Sequence, residues 1–148
     1  MPVSPGYLVV VQARARAYAD ATPGAVLAPF GMSVQGAVDA IRSAAAATGL
    51  LPNEVWCAAG SGTLMRGLAA AWPSARLFCV QVGRAVTAEE VCGATVVQAS
   101  LPYSKPSRAA VPFPSDPHYD AKAWEVCARQ HGDGVIVFWN VTGPASSV

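Results

Sequence analysis

The sequence at residues 54–82 is EVWCAAGSGTLMRGLAAAWPSARLFCVQV, and it contains the pattern that decides the fold. Its apolar runs at residues 54–59 and 76–82 are typical of buried strands. Between them, the glycine-rich turn Gly60-Ser61-Gly62-Thr63 leads into a helix predicted for residues 63–72. The stretch therefore predicts a strand, turn, helix and strand unit of the kind found in parallel sheets.

Outside this unit, strand-like and helix-like segments alternate. Apolar runs predict further strands at residues 7–12, 25–30, 94–99 and 134–139. Helical spacing and capping signals predict helices at residues 13–21, at 34–48, from 87 onward, and from 116 to about 131. Residues 100–117 contain five prolines, which predicts an ordered surface loop. We therefore expect a single α/β domain with three αβα layers and a mostly parallel, Rossmann-like sheet.

The composition of the 148 residues limits the possible partners. The net charge of +1 comes without a basic run, which argues against binding to nucleic acid or to a membrane surface. The N-terminal residues lack the pattern of a secretory signal, and no stretch reaches the roughly 18 apolar residues of a membrane helix. A soluble cytoplasmic protein is therefore expected.

The chain has a high proportion of hydrophobic residues and few charged ones. Hydrophobic residues make up 53% of it and charged residues only 13%. Some of that apolar surface should meet another protein, either in a homo-oligomer or against a partner chain. The four cysteines are scattered without the spacing of metal ligands, so we predict reduced core thiols and no metal site.

The turn Gly60-Ser61-Gly62-Thr63 is the candidate functional site. Glycines permit positive φ angles and a close approach of the backbone to a ligand. The free N–H groups and the dipole at the start of the following helix attract anions, and the hydroxyls of Ser61 and Thr63 add donors. The turn therefore predicts binding of a phosphorylated small molecule, although a tight connection that binds nothing would have a similar sequence.

Several named motifs fail in this stretch. A nucleotide P-loop needs Lys and Ser/Thr where Leu68-Ala69 follow Gly67, and a dinucleotide fingerprint needs glycine at Met65. A nucleophile elbow around Ser61, which His118 or His131 would serve as base, lacks its flanking glycines. A phosphoribosyltransferase would carry paired acidic residues in place of Ala58-Ala59, so only a divergent one remains an alternative.

Residues 55–69 and 75–82 resemble the large domain of fold-type II pyridoxal-phosphate enzymes, which include tryptophan synthase β, serine and threonine dehydratases and D-cysteine desulfhydrase. That family has an apolar strand, a glycine-rich turn ending in Gly-Thr, a helix of small residues and a second strand. Residues 29–36 are similar to its Pro-x-Gly segment, and residues 134–143 to its final strand. The resemblance thus covers about residues 25–143.

The resemblance implies a cofactor, pyridoxal phosphate, and a lyase or transferase that acts on an amino acid. Its phosphate would lie on Gly60, Ser61, Gly62 and Thr63, and its ring nitrogen near Asn140 or Thr142. The family's Schiff-base lysine belongs to an early region of a longer chain that has no counterpart in these 148 residues.

Two lysines are present. Lys105, in the proline loop beside Tyr103 and Arg108, is the candidate catalytic lysine, because neighbouring cations favour a neutral amine. Lys122 is expected to be a surface ion-pair residue. We therefore expect phosphate binding, with catalysis completed by a partner chain. A self-sufficient phosphoribosyltransferase-like enzyme and a non-catalytic subunit that retains the fold are the alternatives.

Overall fold

The structure is a computed structural model, and it describes residues 5–143. The elements in chain order are α1 (Pro5–Ala21), a 3-10 turn (Phe30–Met32), α2 (Gln35–Ala47), β1 (Glu54–Ala59), α3 (Thr63–Ala71), β2 (Arg76–Gln81), β3 (Thr95–Gln98), α4 (Asp120–Gln130) and β4 (Ile136–Trp139). Within this range, no helix combines the length and apolar character that a bilayer crossing requires.

The four strands form one sheet in the order β3-β2-β1-β4, and every neighbouring pair is parallel. β1 is central, and all six of its residues are buried. Its Cys57 lies opposite Cys79 of β2 and Trp139 of β4. A continuous apolar run suits such a strand, because helices cover both of its faces.

The core has one cluster on each face of the sheet. Val55, Cys57 and Cys79 belong to the cluster that α2 and α3 cover. Trp56 and Val80, which alternate with them, belong to the cluster that α4 covers. The predicted three-layer α/β fold is therefore confirmed, with every strand parallel.

α2 and α3 pack closely because Gly67 has no side chain. A Cβ atom at this position would lie 2.5 Å from Cβ and Cγ2 of Ile41 and 3.0 Å from the carbonyl oxygen of Val38. A small residue at the crossing lets two helix backbones approach, and here it sets α3 against α2 behind the glycine turn.

The strand predicted at residues 7–12 is wrong, because these residues belong to α1. A short apolar run fits a strand or a helix equally well by periodicity. Here the Ala- and Arg-rich residues 13–21, which favour helix, continue it, and Pro5 suits a first helical turn.

The strand predicted at residues 25–30 is also wrong. The chain from Ala25 to Pro29 joins no sheet, and the 3-10 turn follows at Phe30. Val26 is 91% exposed, and Pro29 lacks the N–H that a strand ladder needs.

The capping box at Thr87 forms without the helix that it was expected to open. The Thr87 N–H donates to Glu90 Oε2 at 2.9 Å, and the Glu90 N–H donates to Thr87 Oγ1 at 3.2 Å. Only a turn follows, since Cys92 and Gly93 both adopt positive φ. Similarly, Asp116 accepts the His118 N–H at 2.7 Å in a turn, and α4 begins only at Asp120.

Candidate functional site

The glycine turn lies at the carboxyl edge of the sheet, between the ends of β1 and β4. After β1, the chain crosses through α3 to β2 and β3 on one side, and it later returns through α4 to β4 on the other side. This reversal of direction opens a crevice beyond the strand ends, the usual place of ligands in open α/β sheets.

Gly62 holds the turn in a conformation that other residues rarely adopt. Its φ is +78°, and it precedes the first residue of α3. A Cβ atom there would lie 2.1 Å from the carbonyl oxygen of Glu90. The turn thus presents the first N–H groups of α3, those of Thr63, Leu64 and Met65, which have no partner within the helix.

The two hydroxyls of the turn are already linked. Ser61 Oγ and Thr63 Oγ1 are 3.1 Å apart, and the Thr63 N–H donates to Ser61 Oγ at 3.4 Å. Arg66 Nη2 donates to Thr63 Oγ1 at 3.3 Å and to Ser33 Oγ at 2.6 Å. A guanidinium charge is therefore connected to the turn through one hydroxyl.

The segment before α2 also touches the turn. Gly31 has a φ of +64°, and a Cβ atom on it would lie 2.0 Å from Ser61 Oγ. The next residue, Met32, has an unusual positive φ of 50° for a residue with a side chain. Since both residues line the same crevice, this segment forms one wall of the site.

A cavity of about 400 Å³ opens at the turn. Its polar part is the turn itself, and its remaining walls are largely apolar, with Ile41, Leu64, Trp139 and Val141 among them. In the described part of the chain, Tyr119 supplies the single ionisable side chain that lines it. The cavity thus combines an anion-binding floor with an apolar body.

Tyr119 reaches the turn from the start of α4. A Cβ atom on Gly60 would lie 3.0 Å from the phenolic oxygen. Burial, with smaller contributions from nearby acidic groups that include Cys57 and Asp120, raises the pKa of Tyr119 far above its usual range. The phenol therefore stays protonated and can donate a hydrogen bond.

Asn140 and Thr142 lie at the end of β4, but Val141 between them is the residue that lines the cavity. Asn140 Nδ2 donates to the carbonyl oxygen of Pro114 at 3.1 Å. The Thr142 N–H donates to Asp120 Oδ2 at 2.6 Å, and its hydroxyl donates to the same oxygen. These hydrogen bonds thus hold the segment after β4 against α4 and against the proline-rich loop.

Lys105 lies in a different cavity. That cavity, of about 480 Å³, is formed by the proline loop against α4, and its lining includes Lys105, Arg108 and Glu125. The two cavities share no lining residue. The structure therefore does not bring Lys105 to the glycine turn.

Lys122 is not a surface residue, so the expectation of an exposed ion pair is wrong. It is 1% exposed, and its Nζ donates to the carbonyl oxygens of Pro102 at 2.7 Å and Tyr103 at 3.1 Å. Burial lowers the pKa of its amine, although the charge of Asp116 partly offsets this. The proline-rich loop has few N–H donors of its own, and the lysine supplies a further donor to two of its carbonyl groups.

Neither histidine is placed to serve Ser61 as a base. His118 Nδ1 is 3.1 Å from the carbonyl oxygen of Tyr103, and His131 Nδ1 is 2.9 Å from that of Gly132, near the opposite edge of the sheet. Neither lines the cavity at the turn. Within residues 5–143, no three or more His, Cys, Asp and Glu side chains are grouped so that they could hold a metal ion.

Sequence reasoning missed three contributors to the site. Arg66 is linked to the turn because it lies on α3 one helical turn after Thr63, a spacing that the sequence contains. Gly31 and Asp120 become neighbours of the site only through tertiary contacts. No local pattern marks Asp120, and the Pro-x-Gly pattern that contains Gly31 does not indicate its contact with Ser61.

Comparison of the chain with known protein families, with curated proteins and with solved structures finds no match.

Proposed function

We propose that the protein binds a phosphorylated small molecule, with the phosphate on the 60–63 turn and the rest of the ligand in the adjoining cavity. The observation that carries this proposal is the coincidence of the turn, the cavity and the reversal point of the sheet. Any one of these features alone is common, but together they form the arrangement in which α/β proteins usually hold phosphate groups.

The donors of the turn support binding of an anion. In the described arrangement, Ser61 Oγ accepts the Thr63 N–H at 3.4 Å, a long hydrogen bond. An anionic phosphate oxygen is a stronger acceptor and would replace the hydroxyl there. The Ser61 hydroxyl would then be free to donate to the ligand, and Arg66 would stabilise the added charge through Thr63.

The walls of the cavity support a ligand with an uncharged, largely apolar body. No carboxylate lies among the described residues that line it, and Ala58 and Ala59 stand at the end of β1. A phosphoribosyl group would need polar partners for its hydroxyls, because unpaired polar groups are costly to bury. The phosphoribosyltransferase alternative is therefore disfavoured.

Pyridoxal phosphate meets these requirements in part. Its phosphate and ring suit the turn and the apolar walls, and when bound such a cofactor supplies an electron sink for amino-acid chemistry. Both lysines of the chain lie elsewhere, and Asn140 and Thr142 are engaged by Pro114 and Asp120. The residues of the cavity thus suit the phosphate group of the cofactor, but they offer no amine for a covalent linkage to it. Lyase or transferase activity would therefore need an amine from a partner chain.

Non-catalytic binding is the second candidate function. It is favoured by the lack of an acid or base other than Tyr119 among the described residues that line the cavity. A subunit of this kind would retain the fold and hold the ligand without transforming it.

Replacing Thr63 by valine tests the site. The Thr63→Val variant keeps the shape of the side chain and removes the hydroxyl, and a hydrogen bond to a charged group is worth about 1.5–3 kcal/mol. We expect the affinity for inorganic phosphate and for pyridoxal phosphate, measured by calorimetry, to fall about 10-fold or more. Thr95→Val, at an exposed position on β3, is the matched control and should bind normally.

Two results would count against the proposal. If the wild-type protein binds neither ligand, the proposed function is wrong; if Thr63→Val binds as well as the control, the ligand lies elsewhere. Absorbance gives a separate answer on covalent linkage. With pyridoxal phosphate alone we expect no imine band, and a band would mean that an amine of the chain itself reaches the cofactor.

A further inference from the structure

We infer that α1 and residues 22–34, together the apolar arm, form the interface of a homodimer. Nine of the fifteen large apolar side chains that the described structure exposes lie in this arm, which is about a fifth of the described residues. They are Val9, Val10, Val11, Tyr18, Val26, Leu27, Phe30, Met32 and Val34. Exposed apolar surface concentrated in one segment marks a contact with another molecule.

The first half of α1 is apolar, and α1 is poorly packed against the rest of its own domain. None of its described side chains is buried, and it makes no extensive contact with another described helix or strand. Val9, Val10 and Val11 are consecutive, so they face different sides of the helix and are 69%, 45% and 43% exposed. The first half of α1 is thus apolar on several sides, and a helical segment of this kind is normally covered by protein, which its own domain does not provide.

The connection after α1 would let the helix reach a second copy. Gly24 in this connection has a φ of +81° and no neighbour within 4 Å of where a Cβ atom would lie. Val26, two residues later, is 91% exposed. A helix that is joined to its domain by an exposed connection outside the sheet can reach the surface of a second copy.

The accessible surface has the size that such a dimer requires. The chain exposes 8872 Å², whereas a compact monomer of 15.2 kDa exposes about 7,100 Å². The difference is more than the roughly 800 Å² that each partner buries in a standard stable interface.

The charges of the arm favour a second copy over a partner of opposite charge. Within residues 5–34 only Arg14, Arg16 and Asp20 are charged, and residues 21–34 carry no charge. Interfaces of this apolar kind are typical of homodimers, and closed twofold dimers are the commonest assemblies of soluble proteins. Gly31 and Met32 of the arm also line the cavity at the turn, so the second copy would border its mouth.

Measuring the mass of the purified chain in solution tests this inference. Sedimentation or light scattering at micromolar concentration should give twice 15.2 kDa. Val11→Glu should give a monomer with an unchanged circular dichroism spectrum, because it puts a charge into the interface. Val96→Glu, at a position on β3 with 40% exposure against 43% for Val11, is the matched control and should remain a dimer.

Val26→Asp is a second test, since the 91% exposed Val26 side chain contributes little to the fold of its own chain. It should also give a monomer, even if Val11→Glu does not fold. A wild-type monomer overturns the inference, and so does a dimer whose mass neither variant changes, because its interface would then lie elsewhere.

Discussion

Glu54 is a buried carboxylate at the amino-terminal edge of the sheet, which is the edge opposite the candidate site. It is 1% exposed, and it accepts hydrogen bonds from Trp56 Nε1 at 2.9 Å, the Gly132 N–H at 3.0 Å and Arg76 Nη2 at 2.5 Å. Burial raises its pKa, but the bonds from Trp56 and Gly132 and the charge of Arg76 outweigh burial, so the pKa lies below the usual 4.5. One side chain thus connects β1, β2 and the segment before β4.

Replacing Glu54 by glutamine should lower the free energy of unfolding by about 1.5–3 kcal/mol at neutral pH, because charged hydrogen bonds are lost from a buried site. A carboxyl whose pKa falls on folding contributes stability fully above its unfolded value of 4.5, and this is lost as the pH falls through the lowered pKa. Urea unfolding should therefore show that the gap between wild type and Glu54→Gln narrows as the solution becomes acidic. A gap independent of pH would contradict this role, and Glu89→Gln, at an exposed position, is the control.

At the scale of the elements, the crossing of α2 and α3 depends on Gly67. Gly67→Ala would place a Cβ atom 2.5 Å from the side chain of Ile41, and overpacking of this kind costs about 1–3 kcal/mol. We expect a lower melting temperature, measured by circular dichroism, and weaker phosphate binding, because α3 carries the turn. Gly36→Ala in α2, where a Cβ atom meets nothing within 4 Å, is the control and should be neutral or slightly stabilising. If both variants melt alike, the close crossing does not limit stability.

The elements also show which parts of the fold can be predicted from sequence. β1, α3 and β2 were predicted correctly because their period, turn and stop signals are all local. The run at residues 7–12 was mistaken for a strand because only the Ala-rich residues after it favour a helix. The capping box at Thr87 forms its two hydrogen bonds, yet Cys92 and Gly93 turn the chain before a helix can grow.

In the candidate site, too, the features with a local sequence signal can be predicted and those that depend on tertiary contacts cannot. The 60–63 turn could be predicted because its glycines and hydroxyls are contiguous. The contribution of Tyr119 depends on how α4 is placed against the sheet, and that of Gly31 on a contact across 30 residues. Such neighbours are set by topology, which composition and periodicity do not specify.

On the scale of the whole molecule, the burial of the cysteines reflects how the helices cover the two faces of the sheet. Cys57 and Cys79 are buried under α2 and α3, and Cys127 is buried under α4. The prediction of a core thiol is wrong for Cys92, which lies exposed in the turn before β3. Burial raises the pKa of Cys127 to about 12, and the hydrogen bond with Cys79, together with burial, raises that of Cys57 well above its usual value. Since the thiolate is the reactive form, the buried thiols should react slowly.

A thiol reagent should therefore modify one cysteine rapidly in the folded protein and all four in denaturant. Cys92→Ser should abolish the rapid phase and leave the fold intact. Rapid modification of two or more thiols without denaturant would mean that at least one helical layer does not cover the sheet as described.

The strand order has a consequence for the growing polypeptide on the ribosome. β1 is made early, but its second neighbour, β4, begins only at Ile136. Until then one side of β1, whose residues are all buried in the folded protein, has no partner, and an open strand edge invites pairing with other chains. Synthesis that stops short of residue 136 would leave a product prone to aggregate, because the pairing of β4 is what closes this edge of β1.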